Sequence, residues 1–154
     1  MGRGITVTGL DELIRKFEAA GKRPEGLVKR ALYEGAGVMA DAIKASVQSI
    51  PVDEKFGTEN NPRNGVTAAE KTGLINGVGI SHMREENGSV SVVIGFAGVN
   101  AEGEKNTTVM RRVESGTSRT RKHPTVRPAK NRTKAAAIAA MQQQFEKDMT
   151  EEFQ

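Results

Sequence analysis

Residues 77–96 read GVGISHMREENGSVSVVIGF. In the second half, Val90, Val92, Ile94 and Phe96 alternate with Ser89, Ser91, Val93 and Gly95. Successive side chains of a strand point to opposite faces, so a period of two predicts a strand over 89–96 with one face on a core. Residues 77–83 supply a partner strand, and Asn87-Gly88 falls between the two. Asn and Gly tolerate the positive φ of a tight turn, so the pair predicts a β-hairpin.

Helices are expected on both sides of that hairpin. Pro24 can open one, because its missing N–H is not needed in a first turn, and Pro51 forces a stop after about Ser49. Between them Leu27, Ala31, Val38, Ala42 and Ile43 recur at helical spacing, and Leu32, Met39 and Val47 widen the stripe. Gly35 and Gly37 each cost about 1 kcal/mol in such a helix. They are either a tolerated weakness or a sign of close approach by a sheet or a neighbouring subunit. Further upstream, Ile5-Thr6-Val7 suits a short strand. Thr8-Gly9-Leu10-Asp11 has capping-box spacing for a helix reaching about Ala20.

Residues 52–71 have no period and contain Asn60-Asn61-Pro62 and Asn64-Gly65, so they are expected to form a mobile loop. Residues 97–106 read as a second loop. Residues 107–113 suit a strand or a helical turn equally. A last helix is expected from about Pro128 to about Thr150, with Ile138, Met141, Phe145 and Met149 on its apolar face. The length of 154 residues suggests a single domain.

Charge is concentrated in residues 111–134, RRVESGTSRTRKHPTVRPAKNRTK. Nine Lys and Arg stand against one acid, Glu114, a local net of eight positive charges in a chain whose total is +4. Turn and breaker residues in its middle predict an extended basic arm over about 115–128 that feeds the last helix. Such a segment cannot bury itself. It meets solvent, an acidic partner or phosphate. The last helix also starts basic and ends acidic, against its own macrodipole.

Catalytic chemistry is hard to find. There is no Cys, and His82 and His123 are the only histidines, so neither disulfides nor a zinc site is expected. No nucleophile elbow, P-loop or dinucleotide fingerprint is present. Neither an enzyme nor any cofactor or metal is expected. No apolar run approaches the ~20 residues of a membrane span. The opening MGRGITVTG lacks a signal-peptide core, so a soluble protein used in a cytoplasm is expected.

Residues 113–118, Val-Glu-Ser-Gly-Thr-Ser, followed by residues 123–129, His-Pro-Thr-Val-Arg-Pro-Ala, resemble a pattern in a family of long-tailed bacteriophage tail components. These are tail-completion or head–tail joining proteins of the neck, often described as minor tail components. Gly9-Leu10-Asp11-Glu12-Leu13, Thr72-Gly73-Leu74-Ile75 and Val92-Val93-Ile94-Gly95 resemble further pieces of the pattern, in order. Two positions depart from it: Ser115 and Thr125 stand where aromatic residues are usual.

The resemblance implies an α+β fold, with a small antiparallel sheet and its central hairpin packed against a long helix and a C-terminal helix. It also implies a structural virion protein at the neck, assembled in host cytoplasm as a homo-oligomeric ring of six-fold symmetry. Its partners would be a head connector or stopper protein on one side and a tail tube or tail terminator protein on the other. Genome DNA would pass through the lumen, and no membrane is involved. Arg111, Arg112, Glu114, Arg119, Arg121, Lys122, Arg127 and Lys130 are the residues expected at a partner or inter-subunit contact. The alternative is a small DNA-binding accessory protein that does not read sequence. It draws on the same cations but lacks an aromatic for base stacking.

Overall fold

A computed structural model describes residues 4–5, 25–87 and 89–152. Along the chain run β1 (Gly4–Ile5), α1 (Glu25–Gln48), α2 (Ala68–Gly77), β2 (Val78–Ile80), β3 (Arg84–Glu86), β4 (Ser89–Phe96), α3 (Asn106–Ser115) and α4 (Val126–Glu152). The fold is α+β, with a small antiparallel sheet and, among the described residues, four helices. Ile5 falls in β1. The rest of the expected first strand, the capping box at Thr8 and the helix to Ala20 lie outside the described residues.

Strand β4 lies between β1 and β2. It pairs with β1 through Gly4↔Val93 and Ile5↔Val92. It pairs with β3 through Arg84↔Ser91, Glu85↔Val90 and Glu86↔Ser89, which puts Asn87 directly after the last pair, at the hairpin turn. Asn87 has φ 52°, the backbone twist that a two-residue turn requires. Residues 81–83 interrupt the first arm. There the Ser81 N–H donates to the Val93 carbonyl, and the Val93 N–H donates to Ser81 Oγ, each at 2.8 Å. A side-chain oxygen thus takes a ladder position usually held by a carbonyl.

The described residues group into two compact units, each built from separated segments. One draws on described residues within 1–39, 80–94 and 133–154, and the other on Ala40–Gly79 and Gly95–Arg132. In the first, Leu27, Ala31, Leu32 and Ala36 of α1, Val92 of β4, and Met141 and Phe145 of α4 form a buried apolar cluster. Val90 and Ile94, two residues either side of Val92, pack against it as the period of two requires. Gly35 serves close approach, with α4 in the place of a sheet or neighbour. A Cβ there would lie 2.1 Å from Met141 Cε and 3.0 Å from the Ala137 carbonyl oxygen. Gly37 faces open space.

In the second unit Ile43, Val47, Ile50, Val66, Leu74, Val109, Met110 and Val113 are buried. Helix α2 packs on α3. Its first turn occupies residues 68–71, which the sequence reading assigns to a loop. Thr67 and Glu70 form a capping box: the Glu70 N–H donates to Thr67 Oγ1 at 3.1 Å, and the Thr67 N–H donates to Glu70 Oε1 at 2.8 Å. The segment before it is tied down by polar contacts. Asp53 accepts from the N–H groups of Asn64 at 2.8 Å and Lys55 at 3.1 Å. Those two donors, Asn64 first, hold the Asp53 carboxyl below its ordinary pKa. The ambiguous residues 107–113 are helical, within α3. Helix α4 starts at Val126, ahead of Pro128, and runs to Glu152. Among the described residues no helix is long and apolar enough to cross a membrane.

Candidate functional site

The middle of the basic stretch, residues 116–125, is a compact turn between α3 and α4 rather than an extended arm. The N–H of Gly116 donates to the Arg112 carbonyl, that of Thr117 to Thr120 and that of His123 to Val113, at 2.8, 2.9 and 2.8 Å. A second set of bonds fastens the turn to the 55–64 segment. The Arg63 N–H donates to the Arg119 carbonyl at 2.9 Å, and the Arg121 N–H donates back to the Arg63 carbonyl at 2.8 Å. His123 Nε2 lies 2.8 Å from Asn64 Oδ1. Backbone polar groups need partners wherever water is excluded, and here each strand of the turn finds them in the other or in 55–64.

Glu114 closes the turn onto α4. Its Oε2 accepts from the N–H of Thr125 at 2.7 Å, from Thr125 Oγ1 at 3.2 Å and from the N–H of Val126 at 3.0 Å. Its Oε1 accepts from the N–H of Arg127 at 2.9 Å. The next residue, Pro128, has no N–H to satisfy. The donors that a helix start leaves orphaned are therefore gathered by one carboxylate from another helix. Burial pushes the Glu114 carboxyl up, but the N–H groups of Arg127, Thr125 and Val126 and the Thr125 hydroxyl outweigh it and hold its pKa below the ordinary value. This carboxylate also answers the charge conflict in α4. The anion that the macrodipole favours at an N-terminus is present, supplied by α3.

A second carboxylate organises the other end of α3. Glu70 is 2% exposed. Besides the Thr67 N–H, its Oε1 accepts from Arg63 Nη1 at 3.1 Å, and its Oε2 accepts a short bond from Arg112 Nη2. Arg63 Nε also donates to the Lys55 carbonyl at 2.8 Å. Arg112 Nη1 forms an ion pair with Glu104 Oε1 at 2.8 Å, out of line for a hydrogen bond. One buried charge is thus met by two guanidinium groups, as a desolvated carboxylate requires.

The expected contact residues are consequently divided. Arg112 is half-buried and engaged within its own unit, as is Glu114. Arg111, Arg119, Arg121, Lys122 and Arg127 are exposed, and Lys130 is half-buried. None of these six side chains has an ion-pair partner among the described residues. Arg119, Arg121 and Lys122 share the docked turn, so three free cations are presented on an ordered backbone. No cluster of His, Asp and Glu among the described residues could hold a metal ion.

Sequence reading did not find Glu70, Arg63 or Glu104. The signal for the first was present in Thr67-Ala68-Ala69-Glu70, a capping-box spacing inside a stretch without period. No family model, curated protein or solved structure matches the chain.

Proposed function

We propose that this chain is a structural virion protein of a long-tailed bacteriophage, a tail-completion component that joins tail to head as a ring at the neck. What supports this role most is Glu114. It belongs to the first piece of the resembling pattern, and the N–H groups it grips, on Thr125, Val126 and Arg127, belong to the second. The two short pieces form one physical device, a clasp that sets the turn at the head of α4. Thr125, where the pattern usually has an aromatic, adds its hydroxyl to the clasp. Partners bind the cations that the clasp presents: Arg119, Arg121, Lys122 and Arg127 meet acidic protein surface on a neighbouring copy, a connector or a tail terminator.

The test replaces the free cations and leaves the clasp intact. Arg119→Ala/Arg121→Ala/Lys122→Ala should keep the circular dichroism of the parent. Added to heads and tails made without this chain, the variant should fail to join them where the parent succeeds. Normal joining by the triple variant would overturn the role given to the turn. The same unpaired cations favour one rival, a DNA-binding accessory protein. It requires duplex binding that weakens steeply with salt, and no binding at low salt excludes it.

A further inference from the structure

Phe56 is the most exposed large apolar side chain among the described residues, at 79%. Its backbone is not loose. On one side the Lys55 N–H donates to Asp53 Oδ1 at 3.1 Å, and the Lys55 carbonyl accepts from Arg63 Nε at 2.8 Å. On the other, Gly57 lies so close to the docked turn that a Cβ would sit 2.1 Å from the Arg119 carbonyl oxygen. An aromatic ring is therefore held out in water on a clamped segment. Its apolar area gains nothing there, and ordering it in advance lowers the entropy cost of any later contact.

The same unit contains an open pocket of about 630 Å³ between α2 and the loop after β4. Its walls are mostly small, with Ala69, Gly73 and Gly77 from the helix and Ala97 from the loop, and the amides of Asn100 and Asn106 lie among them. Thr72 and Val99 also line it, and Val99 is 62% exposed. An aromatic side chain fits such a recess, and small walls let it pack against helix backbone. Charge is opposed across the two features. The turn that supports Gly57 carries the unpaired Arg119, Arg121 and Lys122. The loop closing the pocket continues into Ala101-Glu102-Gly103-Glu104, where Glu102 is exposed.

We infer that Phe56 is an inter-subunit anchor that seats in the α2 pocket of a second copy of this chain, with Arg119, Arg121 and Lys122 facing the Glu102 loop of that copy. Knob and recess are unlike surfaces carried by one chain. This is the condition for a heterologous contact, the kind that builds a ring when its rotation closes. The inference deepens the joining role and rests on it only in taking the partner as another copy.

The test is light scattering across a concentration series, with circular dichroism as the fold check. Both positions to be changed are exposed, and the substitutions leave the buried residues alone. Phe56→Ala removes the knob and Thr72→Trp fills the recess. Each should weaken self-association about 30-fold, the loss of one buried aromatic anchor. Phe56→Leu, which keeps an apolar knob, should stay within a few-fold of the parent. Mixing Phe56→Ala with Thr72→Trp leaves one intact knob and one intact recess, so the mixture should form heterodimers at parental affinity and grow no further. A parent that is monomeric at every concentration, variants that associate like the parent, or a mixture no better than its components would each overturn the anchor. Joining of heads to tails by these same variants keeps the two proposals apart. Unchanged association removes the anchor alone, whereas the joining role stands or falls on whether the parent restores joining to heads and tails made without it.

Discussion

Phe145 and Glu70 are both almost inaccessible to solvent, and they hold their immediate surroundings by different means. Around Phe145, α1, β4 and α4 close on an apolar cluster whose fit depends on volume, as the contact of Met141 with Gly35 shows. Around Glu70, and again around Glu114, a carboxylate gathers donors from separated segments. Apolar packing is non-directional and indifferent to pH. A carboxylate clasp is directional, fixing which backbone groups meet and at what angle, but it depends on charge. The exposed cations of the turn are mounted on the second kind of support. Their arrangement is as good as the clasp beneath them.

The largest test of this contrast is Phe145→Ala. Truncating a fully buried Phe should cost about 4 kcal/mol through lost transfer energy and a residual cavity. Urea unfolding at low and at high salt should return the same loss, and a strong salt dependence would break the contrast. Glu70→Ala comes next, at about 3 kcal/mol, because Arg63 and Arg112 are left without their buried partner. A cost below about 1 kcal/mol would mean that the pairing only offsets its own desolvation.

The smallest effect is the sharpest. Glu114→Gln should cost about 1 kcal/mol, in the range of a lost helix cap. The folded-state pKa of Glu114 is depressed, so its contribution is fully present above the ordinary value of 4.5 and is lost as pH falls through the folded value. Across a pH series of urea titrations the parent should therefore lose stability more steeply than Glu114→Gln once the pH drops below about 4.5. Parallel curves would show that the clasp carries no charge-dependent energy.

The apolar unit was legible in the sequence because its signals are periodic. The alternation at Val90, Val92 and Ile94, the Asn87-Gly88 turn and the stripe from Leu27 to Met39 each follow from strand or helix geometry. Much of the second unit was not, because, although it too buries apolar side chains such as Val47, Leu74 and Val113, its loops and helix ends are ordered by pairings between distant residues. Nothing in residues 52–71 repeats, and α2 offers only Leu74 and Ile75 as large apolar side chains, so a helix held by Thr67 and Glu70 reads as a loop. For the same reason Arg112 and Arg119 look alike in a basic run. Only the position of Glu70, 42 residues away from Arg112, separates an internal partner from a free one. Glu114 stands out in the sequence as the one acid of the basic stretch, but nothing in that stretch says that it gathers the N–H groups at the start of α4.

The interleaving of the two units also sets an order of completion as the chain is made. Every residue of the second unit lies between positions 40 and 132. All its partners therefore exist before the last part of α4 has been synthesised. The apolar cluster lacks Met141 and Phe145 until those positions are added, although its first members, from Leu27 onward, are among the earlier residues to emerge. The half of the protein that sequence periodicity makes plain is thus the half whose cluster is finished last.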